Sequence, residues 1–259
     1  MEMISTSKMR RAQVQALSSR PYAEKIGELI GHLGAQFEKI PHPFFEDVPG
    51  DILLVHFTPD RGLCGGLPSN LNRSAANFIL SQERKVRVVC VGRKGRDFMR
   101  RTGQYIEAEF LRITDRPTPA TILPIAKIIN ELYGNGVGRV YLSYARFISP
   151  IVQRPVVELL IPVEPPSEVR IVPMYIYEPR MKLLLSELLG RYLEFKLYSA
   201  LLESKASEHS ARMVAMRNAT QNAEEMIKDL TLLANKARQE VITKELLDII
   251  GGAWAFEGR

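Results

Sequence analysis

Two cysteines, Cys64 and Cys90, are all that the 259 residues contain. They are too few for a disulfide scaffold and too far apart for a metal-ligand pair, so both are expected as buried reduced thiols. No run of about 18 apolar residues occurs, and the N-terminus lacks a signal-peptide core, which argues against a membrane-spanning helix and against export. The chain is therefore expected to stay in the compartment where it is made, bacterial by preference, or to enter an organelle through a presequence not seen here. Neither G-x-G-x-x-G nor G-x-x-x-x-G-K-[ST] is present, so a nucleotide-binding α/β enzyme is a poor fit. His32, His42, His56 and His209 are scattered, without acidic partners at ligand spacing, and no catalytic constellation or metal site emerges. The formal charge of +6 is modest and spread along the chain. Its densest basic stretch, Arg84 to Arg101, has a single aromatic, Phe98, too few to stack bases, and reads as a solvated helix face, not a nucleic-acid surface.

The most informative shortage is of helix breakers. From Arg180 to Ile250 there is no proline and one glycine, Gly190. About 70 residues in one helix would extend roughly 100 Å. Alternating steps of four and three from Leu188 give Tyr192, Phe195, Ser199, Leu202, Ala206, His209, Met213, Met216, Thr220, Ala223, Ile227, Leu230, Ala234, Ala237 and Val241, a seam without charge. That is a coiled-coil pattern. Acidic pairs such as Glu224-Glu225 belong to its solvated side.

A matching stripe opens the chain: Met9, Ala12, Ala16, Ser19, Ala23, Ile26, Ile30, Leu33, Phe37 and Ile40. Pro21 interrupts it, predicting a kink or a restart capped by Ser18 or Ser19. The two ends are expected to bury each other's stripes as an antiparallel pair. The intervening residues then form one inserted domain.

Within that insert, strands are expected over 51–57, 86–91, 140–144, 155–163 and 174–177, with helices over 67–80 and 119–133. Alternation of strands and helices implies a layered α/β sheet, mixed because the later strands follow one another directly. The expected fold is thus an antiparallel two-helix coiled coil plus an inserted Rossmann-like α/β domain. Its divisions are an N-terminal helix at 1–45, the α/β domain at 46–178 and a long C-terminal helix at 179–259. The turn Asp60-Arg61-Gly62-Leu63-Cys64-Gly65-Gly66 sits where a phosphate loop would, but its glycine spacing is wrong. Its glycines read instead as a tight turn passing close to a neighbouring element.

Specific motifs resemble the gamma subunit of F-type ATP synthases. They are Ile242-Thr243-x-Glu245-x-x-Asp248-x-x-x-Gly252-Ala253, the 60–66 turn with Arg61, Gly62, Cys64, Gly65 and Gly66, and Leu201 to Met216 with Asn218-Ala219-Thr220. Asp229-Leu230-Thr231 and Asn235 to Gln239 add to the match, which covers nearly the whole chain. The resemblance implies a non-catalytic central stalk inside a ring of three alpha and three beta subunits, standing on the membrane ring beside an epsilon subunit. It implies no cofactor in this chain, Mg-ATP and ADP being held by the partners, and peripheral attachment to the cytoplasmic face of a bacterial plasma membrane or to a mitochondrial inner membrane. By the same resemblance Arg238, Gln239, Thr243 and Glu245 contact the beta subunits, while Tyr175 and Glu178 contact the ring and epsilon. On local grounds alone these six are equally well solvated helix residues, a strand-end tyrosine and a cap. Relatives carry a further stretch before the position of Met1, so either the start lies upstream or the helix tip stands alone. No cysteine-bearing insert lies between Arg112 and Pro119, so thiol control is not expected. A coiled-coil adaptor or nucleic-acid binder is disfavoured by the near balance of twelve basic and eleven acidic residues from Pro179 onward.

Overall fold

The computed structural model of the chain describes residues 2–34, 42–163 and 181–257. The expected strand at 174–177, the boundary at 178 and 179, and the stripe positions Phe37 and Ile40 lie outside the described residues. The chain divides into two compact units, Met1–Ala215 and Met216–Arg259.

In the first unit, α1 (Glu2–Gly34) precedes a five-stranded sheet. The elements then run β1 (Asp51–Phe57), α2 (Leu67–Leu80), β2 (Val86–Val91), α3 (Arg93–Arg101), β3 (Ile106–Phe110), α4 (Leu123–Leu132), β4 (Val137–Phe147) and β5 (Gln153–Ile161). Helix α5 (Met181–Glu257) begins in this unit and supplies most of the second. The strand order is β3-β2-β1-β4-β5, parallel throughout except for β5, which runs antiparallel to β4. The sheet is mixed, as the uninterrupted later strands suggest. Strand β3 and helix α3 are not evident from periodicity, since Ile106-Glu107-Ala108-Glu109-Phe110 has few large apolar residues and α3 is mostly charged. The helix expected over 119–133 is instead a short 3-10 turn, Pro119–Thr121, followed by α4, because Pro124 fits only in the first turn of an α-helix.

Strand β1 shows why the fold is layered. From Ile52 to Phe57 every residue is buried, and successive side chains point to opposite faces. Ile52 and Leu54 join Val88 and Cys90 beneath α2 and α3, against Ala75 and Met99. Leu53, Val55 and Phe57 join Val89, Val91 and Leu142 on the other face, against Ile125 and Ile129 of α4 and Leu193, Leu197 and Leu201 of α5. A strand covered on both faces reads as a continuous apolar run.

Helices α1 and α5 pair antiparallel within the first unit. Ile26 and Ile30 cluster with Leu185 and Leu189. Tyr22 meets the ring of Phe195 at 4.8 Å, Gln15 donates to the Tyr198 hydroxyl at 2.8 Å, and Ala12 packs with Ala206. Each step toward the start of α1 is thus a step toward the end of α5. Met9, Ala12, Ala16, Ile26 and Ile30 of the N-terminal stripe are all buried. Pro21 neither breaks nor restarts α1, which runs through it. Ser18 is no cap, its hydroxyl donating to the Gln15 carbonyl one turn back. Packing of the next residue, Tyr22, on Phe195 helps hold the turn despite the donor that proline lacks.

The C-terminal seam needs a correction of extent. Leu188, Tyr192 and Phe195 face α1 and are only half-buried. The expected seam members Leu202, Ala206, His209 and Met213 are buried, while those from Thr220 to Val241 are exposed. A second stripe, Leu185, Leu189, Leu193, Leu197 and Leu201, is fully buried too, and its later members pack on the sheet. This part of α5 is covered on two sides, and seam-stepping finds only one of them.

Candidate functional site

The carboxyl ends of parallel strands are where open α/β sheets usually hold ligands, at the point where strand order reverses. Here that point lies between β1 and β4, and α5 fills it. Five side chains within ten residues of α5 bond to backbone at this edge of the sheet. Glu203 accepts from the Phe147 amide at 2.7 Å, and Ser207 donates to the Ala145 carbonyl at 3.0 Å, both at the end of β4. Ser210 donates to Pro150 O in the β4–β5 hairpin at 2.6 Å. Lys205 donates to Ile113 O after β3, and Arg212 Nε to Gly62 O after β1, each at 3.3 Å. Each such bond contributes about 1 kcal/mol net. Their spread over four segments matters more, because it fixes the rotation of α5 about its own axis against the sheet.

A charged cluster lies within this clamp. Glu208 receives Arg212 at 2.7 Å and Lys205 at 3.3 Å, all three being about nine-tenths buried or more. Burial alone would raise the Glu208 carboxyl, but the two cations outweigh it and hold the group below its ordinary value. His209, on the expected seam, is buried, and desolvation lowers its pKa. Its Nδ1 lies 3.4 Å from Arg212 Nη1, and its Nε2 faces Asp115 at 3.6 Å without a hydrogen bond. Asp115 accepts from Lys8 of α1 at 2.6 Å, so the loop after β3 joins both helices.

The 60–66 turn supports the clamp. Arg61 is exposed, Cys64 is buried with its thiol raised by desolvation, and Gly66 precedes α2 as its N-cap. Gly65 has φ of +58°, a conformation that disfavours any Cβ. Added Cβ atoms at Gly62 and Gly65 would meet nothing, so close approach does not explain these glycines. Close approach occurs instead at Gly92, where a Cβ would fall 1.9 Å from Thr58 O. The start of α3 is thereby pressed onto the end of β1. Its first amides are taken internally: Arg93 N by Asp60 Oδ1, Lys94 N by Pro59 O and Gly95 N by Thr58 Oγ1. No amide there is left to cradle a phosphate.

Beneath this edge, the fully buried His56 lies between Ser143 Oγ and Asn72 Oδ1, each at 3.0 Å. Asn72 Oδ1 accepts only, which assigns the proton to Nε2 and makes Nδ1 the acceptor of the Ser143 hydroxyl. Desolvation lowers its pKa to about 4, against a partial rise from Asn72. The triad-like appearance has no route to solvent, and it serves as a polar bolt between β1, β4 and α2. Cys90 is buried with its thiol pushed up to about 12.

The basic stretch from Arg84 to Arg101 is not one helix face. Arg87 lies on β2 and binds Asp51 and Glu107, whereas Arg96 and Arg100 on α3 bind Glu109, with Asp97 also on Arg96. Among the described residues no helix is long and apolar enough to cross a membrane, and no cluster suits a metal ion.

In the second unit, every residue from Arg217 to Gly252 is exposed. Arg238 and Glu245 lie seven apart on one stripe of α5. Gln239 and Thr243 lie four apart on the adjoining one, so all four occupy one side of the helix. Exposed apolar residues accompany them, including Ile227, Leu230, Leu233, Ile242, Leu246 and Ile249. Tyr175 and Glu178 lie outside the described residues.

A mixed α/β domain clamped around a helix, with an antiparallel N-terminal helix alongside, defines a class in which the domain grips a helix instead of a ligand. The chain belongs to the ATP synthase family, whose model matches residues 1–256. It is 50% identical to the ATP synthase gamma chain of Dehalococcoides mccartyi (strain CBDB1), over 99% of this chain and 92% of that protein. With that of Roseiflexus sp. (strain RS-1) it shares 46% identity, over 99% and 91%. The central stalk and c-ring structure of the Tetrahymena thermophila mitochondrial ATP synthase contains a chain of the same fold, with a TM-score of 0.67 at 24% identity, covering 85% of this chain and 97% of that one.

Proposed function

We infer that this chain is the gamma subunit of an F-type ATP synthase, the central stalk whose rotation couples ion flow through the membrane ring to ATP synthesis and hydrolysis on other subunits. The clamp around residues 203–212 carries the mechanical part of this reading. A rotor must pass torque between a foot and a shaft without slipping, and side-chain bonds from one helix to four separate segments oppose rotation of that helix in its seat. The near-complete match to proteins named ATP synthase gamma chain supplies the identity of the machine.

The exposed part of α5 is the working surface. Arg238, Gln239, Thr243 and Glu245 contact the beta subunits as the shaft turns, and the apolar residues among them supply the bearing. One asymmetric face meeting several identical partners stabilises a different state of each, because a ligand shifts an equilibrium by its differential affinity. Tyr175 and Glu178 meet the membrane ring and epsilon. The chain itself is not catalytic: Mg-ATP and ADP sit on the alpha and beta subunits, three of each around one copy. The assembly lies on the cytoplasmic face of a bacterial membrane, to which this chain attaches peripherally.

Reconstitution with cognate alpha and beta subunits tests this directly. Native mass should give one copy of the chain per three of each partner, with Mg-ATP hydrolysis that falls when Thr243→Ala and Glu245→Gln are combined. Failure to form any complex would refute the assignment.

A further inference from the structure

Around the clamp, three arginines without a side-chain ion pair converge on one cavity. Arg84 and Arg139 pair with Asp47, Arg87 with Asp51, Arg96 and Arg100 with Glu109, and Arg146 with Glu158. Arg61, Arg93 and Arg112, by contrast, make no side-chain hydrogen bond or salt bridge among the described residues. Arg61 and Arg112 lie in the loops that follow β1 and β3, Arg93 opens α3 after β2, and all three line one cavity of about 390 Å³. That is within the size range of small-molecule sites.

The cavity also touches carboxylates, but each is committed elsewhere. Asp60 caps the Arg93 amide, Asp115 holds Lys8, and Glu208 is paired with Arg212 and Lys205. Lys205, already paired with Glu208, also lines the cavity. Arg112 adopts φ of +59°, a left-handed conformation costly for a residue with a Cβ. The cost is borne at a residue that lines the cavity, and strain of this kind concentrates at binding sites. No aromatic side chain lines the cavity to stack a base.

We propose that this cavity binds an anion carrying several phosphate groups, held by the guanidinium groups of Arg61, Arg93 and Arg112 with no reading of any attached base. Guanidinium forks match phosphate oxygens bidentately. The α3 amides are filled by Thr58, Pro59 and Asp60, so side chains carry the recognition that a phosphate loop carries elsewhere. A concave site walled by two loops, the start of α3 and α5 favours such a small anion over an acidic protein segment. The site is separate from the exposed part of α5, and the inference stands independently of the rotor reading.

The test is calorimetric titration of the full chain with inorganic tripolyphosphate and with ATP, both without magnesium, near physiological salt. Saturable binding of one tripolyphosphate per chain is expected, with ATP within about threefold of it because the base finds no partner. Arg112→Gln and Arg61→Gln should each weaken binding about tenfold or more, the scale of one charge-assisted contact. Arg154→Gln, which removes the same charge from an exposed position of β5, should leave it unchanged. Unaltered thermal unfolding of each variant confirms that it is folded. Absence of saturable binding would overturn the proposal, as would equal weakening in Arg154→Gln or unchanged affinity in the Arg61 and Arg112 variants.

Discussion

Two stretches of α5 reverse the usual rule of burial. Between Glu203 and Arg212 the helix buries Glu203, Lys205, Glu208, His209 and Arg212, whereas between Met226 and Ile250 it exposes eleven large apolar side chains. Both stretches are regular helix, and both are rich in charged residues. The buried stretch keeps its polar groups because each finds a partner on the sheet edge or on the same helix, and burial of charge is tolerable only with such pairing. The exposed stretch keeps its apolar groups without a partner among the described residues, and patches of this kind mark interaction surfaces. One stretch specifies how α5 sits in its own chain. The other is shaped for different proteins.

The largest expected effect comes from breaking the buried pairing. Glu208→Ala leaves Lys205 and Arg212 buried without their anion and should cost about 3–5 kcal/mol in urea unfolding. Glu225→Ala, on the exposed stretch, should change stability by no more than about 0.5 kcal/mol.

Acid should act on the first unit, which contains all four histidines. The His56 pKa is about 4 in the folded chain against 6.5 when unfolded. Above pH 6.5 both states are neutral and nothing is lost. As pH falls from 6.5 toward 4 the unfolded state takes the proton first, and stability should drop by up to about 3 kcal/mol. His42 and His209, also lowered, act in the same direction. The depressed carboxyls of Glu208 and Asp115 add a further loss at more acid pH, as they protonate. Urea midpoints across this range should show the decline, and His56→Gln should flatten its upper part.

Gly65→Ala sharpens the comparison at the turn beneath Arg212. Open space surrounds the site, so only the left-handed backbone resists the new Cβ, and the expected cost is about 1–2 kcal/mol by thermal unfolding. Smallest in the isolated chain is the double change Ile227→Ser and Leu230→Ser. Stability should move by less than about 0.5 kcal/mol, since both side chains are already in water. The same variant should assemble measurably less well with alpha and beta subunits.

The sequence makes the exposed stretch and the sheet easier to foresee than the clamp. An unbroken run without proline announces α5, and the apolar run of β1 announces a strand buried on both faces. The phase of the α5 seam is legible only for the side that meets α1. The stripe through Leu189, Leu193 and Leu197 is spaced by four and merges with the seam in any apolar count. Polar clamp residues such as Ser207 and Ser210 look like ordinary solvated positions, because their partners are backbone carbonyls far away in sequence. A polar interruption within an otherwise apolar helix, from Glu203 to Arg212, is the signal that was available. His56 was legible as part of a strand but not as a bolt, since Asn72 and Ser143 meet it only after the sheet and α2 have formed. Arg238, Gln239, Thr243 and Glu245 are proposed as partner contacts through family motifs alone. Their local pattern is that of any exposed helix.

Rotation itself is the most direct test of the account. Cys64 and Cys90 are buried, so a thiol introduced by Lys127→Cys at an exposed position of α4 offers a selective attachment point for a bead, with the alpha and beta subunits fixed to a surface. The account predicts that the bead turns in one direction while Mg-ATP is hydrolysed. A bead that stays still on a complex that is hydrolysing ATP would contradict it.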